Sequence, residues 1–108
     1  MPALITTDAV IKRDPEAVAA AVRALVKTQK ALKDDVSLAT KVGQKLFPAY
    51  EASLIAELVQ RDLPFYDPSI SREFVAGMTE FQRHVGLLHR EVAYEDVVAT
   101  QFSPYWKS

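Results

Sequence analysis

The sequence predicts a mainly α fold, with four main helices preceded by a short N-terminal strand. Three observations carry this reading. Val18, Val22, Leu25, Val26 and Leu32 recur at helical offsets, as one face of an amphipathic helix requires. Asp14-Pro15-Glu16 reads as a helix start: a capping carboxylate, a proline where no amide hydrogen is needed, and an acid in the first turn. Ala3 to Thr7, with Leu4, Ile5 and two threonines, suits a pleated surface.

The strand is short and has no partner elsewhere in the sequence. It therefore has to pair with another copy or with parts of a longer protein, because a lone strand leaves its backbone amides and carbonyls without hydrogen bonds. Thr7 or Asp8 caps a short helical turn through Lys12. The helix that starts at Asp14 runs to about Lys33; its alanines raise helix propensity, and Lys27, Lys30 and Lys33 lie toward the negative end of its dipole. Asp34-Asp35 stops it and opens a second helix to about Phe47, with Leu38, Ala39, Val42 and Leu46 inward and Pro48 as its end. A third helix covers Ala49 to Asp62 and turns Leu54, Ile55, Leu58 and Val59 inward. The two prolines of LPFYDPSIS make a loop. Ser71 caps a fourth helix whose inward face is Phe74, Met78, Phe81 and Val85, and Gly86 stands just past its end. Tyr94 to Ala99 forms one more short turn. The apolar tail, Phe102 to Ser108, places Tyr105-Trp106 against the core as a plug.

Composition bounds the function. The chain has 108 residues, 49% of them hydrophobic, which is the length and apolar content of one small core, with no internal boundary. Thirteen basic and 14 acidic residues leave a net charge of −1, which argues against a nucleic-acid partner. No apolar run approaches the roughly 20 residues that span a bilayer. Cysteine is absent, so thiolate chemistry and cysteine-ligated zinc are excluded. His84 and His89 stand five apart across Gly86, not the three or four that places two ligands on one helix face. The serines sit in no nucleophile elbow and the three glycines in no phosphate loop. No catalytic residue, metal site or cofactor is expected. The opening MPALITTDAV does not read as a secretory signal, and Met1-Pro2 reads as an artificial or internal boundary.

The order of features carries a resemblance. TTDAVIKRDPEAVAAAVRALVKTQKAL, two helices about a proline, LPFYDPSIS, and FVAGMTEFQRHVGLLHREVAYEDVV together resemble the C-terminal third of periplasmic substrate-binding proteins of the nitrate, sulfonate and taurine importer group. The thiamine-pyrimidine-precursor proteins belong to the same broad group. The resemblance covers about Ala3 to Phe102. It implies a piece of the first lobe of a two-lobed α/β fold, periplasmic location, a small organic or anionic solute, and an ABC permease as partner. Thr6 and Thr7, near the implied lobe crossing, are the nearest ligand-binding candidates. Two alternatives stand beside this reading. One is part of a thiamine-pyrimidine biosynthetic protein, whose relative acts on its own histidine and pyridoxal phosphate. The other is a free-standing helical module that self-associates through its apolar strand and tail. Helices that lack a sheet to cover are expected to expose an apolar face. Self-association is expected in turn, with Leu4 and Ile5 pairing across a two-fold axis.

Overall fold

The fold is organised around one long helix whose start the sequence marks. In a computed structural model, which describes residues 3–107, Asp14 accepts the amide of Ala17 at 3.0 Å and Pro15 takes the first helical position of α2 (Pro15–Asp34). Before it, Thr7 caps α1 (Asp8–Arg13) through its hydroxyl, 3.3 Å from the amide of Val10. Replacing a capping aspartate by alanine typically costs about 1 kcal/mol. Asp14→Ala is therefore expected to lower the urea midpoint by that equivalent with no change in helical content at low denaturant.

The remaining helices are α3 (Ser37–Leu46), α4 (Ala49–Asp62), α5 (Arg72–His84) and the single turn α6 (Tyr94–Val97). A 3-10 turn at Leu63–Phe65 follows α4, and the tail forms a 3-10 segment over Thr100–Lys107. Two stops follow their residue types closely. Pro48, which has no amide hydrogen to give a preceding carbonyl, separates α3 from α4. Gly86 takes φ +80°, and the amides of Leu87 and Leu88 both return to the carbonyl of Gln82, closing α5. The start of α3 differs from expectation in detail. Asp35 does not cap by position; its carboxylate accepts the amide and hydroxyl of Ser37 at 3.0 and 2.6 Å, and Val36 precedes the helix without a capping side chain.

The core is small. Val18, Ala19 and Phe102 form its centre, with Val10, Ile11, Val22, Ala99 and Tyr105 packed around them, so α1, α2 and the tail make one unit. Arg23 lies over the Tyr105 ring, 5.2 Å from its centroid, and seals one side. The α3–α4 hairpin is a second unit. It closes on small residues, where a Cβ on Gly43 would stand 3.4 Å from Ala52 Cα and Cβ. Ser71 caps α5 through the amide of Phe74 at 3.0 Å, and α5 carries α6 beside it.

Three expectations are corrected. Ala3–Thr7 forms no strand, and Ile5 is 85% exposed. No second segment offers a ladder, so its backbone stays in water. The described residues contain helix and 3-10 turn with no sheet, so the α/β lobe of a periplasmic-binding fold is not there. The solute-binding reading falls with it: the importer family, its permease delivery and the related thiamine-pyrimidine alternative all rest on that α/β architecture. The α5 face is the third correction. Phe74, Met78, Phe81 and Val85 lie in solvent, and Val75, about a quarter-turn round the helix, is the residue that is buried. The Met1-Pro2 boundary lies outside the described residues.

Candidate interaction surface

Thr6 and Thr7 are not brought to a cleft. The Thr7 hydroxyl accepts the Val10 amide as the cap of α1, and Thr6 is exposed in the lead-in. His89 is exposed in the loop after Gly86, while His84 lines a shallow open cleft between α5 and the 91–94 segment. Both arginines of the cleft are paired from within. Arg72 pairs with Glu95 and lies over the Tyr94 ring at 4.5 Å, Arg83 reaches Glu91 at 3.7 Å, and the Tyr94 hydroxyl donates to the Ile70 carbonyl. These contacts are the joint that fastens α6 to α5. A smaller cleft beside Trp106 holds Gln29 Oε1, a buried acceptor without a partner, near Lys33, whose ammonium is engaged with the Tyr66 carbonyl at 2.6 Å. Among the described residues no group of His, Asp or Glu stands close enough to hold a metal, and no helix is long and apolar enough to cross a membrane.

The joint has an electrostatic signature. The hydrogen bond from Arg72 holds the Glu95 carboxyl below its ordinary range; Ser37 does the same for Asp35, and Ser69 for Asp67. A carboxyl depressed in the folded chain contributes fully above its unfolded pKa, about 3.9 for Asp and 4.3 for Glu, and that contribution is lost as pH falls through the lower folded value. These groups are exposed, so the effect is screened and small. Helical circular dichroism is expected to hold level from pH 7 to about 5 and to decline only below about 4. Glu95→Gln is expected to reduce that acid step.

What the surface offers instead is apolar. On α5, Phe74, Met78, Phe81 and Val85 form one stripe, with Phe81 58% exposed. On the hairpin, Val42 and Leu46 of α3 and Leu54 and Leu58 of α4 are also exposed, Leu46 to 70%. The periodicity of both faces was readable in the sequence; their exposure was not. The small residues Gly43 and Ala52 were the available signal, since they let the two helices meet along a narrow seam that covers little of the larger side chains.

The charged edges of these faces are distinct. Lys41 and Lys45 flank the apolar positions of α3, and Glu73 and Glu80 flank the stripe of α5; all four are exposed and none belongs to an ion pair within the described residues. Lys41 exerts only a weak pull on the Asp35 carboxyl. No family model, curated protein or solved structure matches this chain.

Proposed function

We propose that the chain is a helical interaction module that self-associates through its exposed apolar helix faces. The supporting observation is surface area. The chain exposes 8473 Å² at 12.0 kDa, where a compact monomer of that mass exposes about 6,000 Å². Its radius of gyration is 16.7 Å, against about 13 Å for a compact domain of this length. The excess, about 2,500 Å² on the same scaling, exceeds the roughly 800 Å² per partner of a standard stable interface. It is apolar where it matters, on faces far richer in large side chains than a monomer's surface needs. A net charge of −1 sets up little repulsion between copies.

Sedimentation velocity from about 1 to 100 μM, the range in which modest interfaces populate, tests the reading. The expected result is a mass that rises above 12.0 kDa with concentration. A single species at the monomer mass across the range overturns it.

A further inference from the structure

We infer that α5 pairs with α5 of a second copy, antiparallel across a two-fold axis between Met78 and Phe81, with the stripe of Phe74, Met78, Phe81 and Val85 as the seam. This rests on the self-association reading and names the surface that carries it.

The stripe is separate from the side of α5 that its own chain uses. At 3.6 residues per turn, its four residues fall within about 60° of one another round the helix. Arg72, Ala76, Thr79 and Arg83 line the cleft toward the 91–94 segment, and they fall about 130–190° from the centre of the stripe. Val75, the buried residue, lies between the two sides. A neighbour can therefore reach the stripe without disturbing the joint with α6.

The stripe is also its own complement. Its spacing of 4, 3 and 4 residues is that of a two-helix seam, and it reads the same in either direction. An antiparallel copy sets Phe74 level with Val85 of the other chain at each end, and Met78 level with Phe81 in the middle. Every level then pairs a ring with a smaller or more flexible side chain. The charges favour the same orientation. Glu73 stands in the first turn of α5, and Arg83 and His84 stand in the last. Antiparallel pairing brings unlike ends and opposed helix dipoles together, whereas a parallel pair would bring like ends together.

Gly77 is an independent observation. It sits inside α5, about one turn from Phe74 and from Phe81, and a Cβ there would meet nothing within 4 Å. The chain's own packing thus gives no reason for a residue that weakens a helix. A second helix lying on the stripe supplies one, because the distance between paired helices is set by the side chains at their contact.

Two adjacent residues on different sides of α5 test the pairing. Gly77→Glu places a carboxylate beside the seam, and Ala76→Glu places the same group on the far side; both positions are exposed. Gly77→Glu is expected to lower the association constant, measured by sedimentation equilibrium, at least about 10-fold. Ala76→Glu is expected to change it by less than about 2-fold, as surface sites do. Far-UV circular dichroism of both at high dilution should match the wild type. Orientation can be read by cross-linking, because the chain has no cysteine of its own. Phe74→Cys and Val85→Cys are mixed under mild oxidation, at a concentration where sedimentation shows the reduced variants assembled, and are expected to give mainly the mixed disulfide dimer. Two Phe74 positions of an antiparallel pair stand about 16 Å apart along the axis, beyond the roughly 7 Å between Cα atoms that a disulfide spans. Four results overturn the pairing while self-association stands: unchanged association in Gly77→Glu, an equal loss in Ala76→Glu, no cross-link in the mixture, or Phe74→Cys linking to itself as readily. A wild type that is monomeric throughout overturns this inference and the reading beneath it together.

Discussion

Phe102→Ala is expected to destabilise the chain by about 3–5 kcal/mol, the range for removing a buried phenylalanine, which is a large part of the total stability of a domain this small. Phe102 is only 6% exposed and is the largest side chain at the centre of the core, where the tail crosses α2 beside Val18 and Ala19. Alanine would remove the ring and leave a void that Val18 and Ala19, both small, cannot fill by rotating. The tail would then detach, and the partly buried Val10, Ile11 and Val22 would lose their cover. Thermal unfolding followed by circular dichroism should show a midpoint lowered by more than about 10 °C, or no cooperative transition at all. A midpoint within a few degrees of wild type would show that the tail contributes little.

Phe81→Asp is expected to have the opposite profile. Phe81 is 58% exposed in the single chain and touches no core, so the substitution removes little packing within the fold. Helical content and the unfolding midpoint measured at high dilution should change by no more than the roughly 0.5 kcal/mol typical of surface sites. Association should weaken by about 30-fold or more, since a central aromatic at an interface is commonly worth 2 kcal/mol or more and a buried carboxylate adds a desolvation cost. Sedimentation equilibrium of the two proteins at matched concentration measures this. Unchanged association with unchanged stability would show that the α5 stripe lies outside the interface. The two substitutions are thus expected to separate folding from assembly, Phe102→Ala lowering stability and Phe81→Asp lowering association.

The helices themselves were largely legible, and the particular residues show why. Asp14-Pro15, Ser71 and Gly86 act through bonds that close within three or four residues, so their effect needs no knowledge of the rest of the fold. Pro48 ends α3 for the same local reason. The reading of Ala3–Thr7 as a strand failed because a strand is defined by a partner, and propensity at Leu4 and Ile5 cannot supply one. The family resemblance failed with it, since order and spacing of helices do not specify a sheet that the described chain lacks. Thr7 was singled out for a ligand, yet its hydroxyl is committed to Val10. The use of Thr7 as a cap was also readable from its place before Asp8, and it is the more local of the two roles.

Sequence alone determined where α2 and α5 begin, where α3 and α5 end, and which side of each main helix is apolar, because caps, breakers and periodicity act over distances of one or two turns. It did not determine which apolar side is buried within the chain. Periodicity marks Phe74, Met78, Phe81 and Val85 as a face in the same way it marks Val18, Val22 and Val26. Only the tertiary arrangement decides that α2 is covered by the tail while α5 is left facing water. Burial is a property of two surfaces, and the second surface is set by the path of the whole chain or by the presence of another copy.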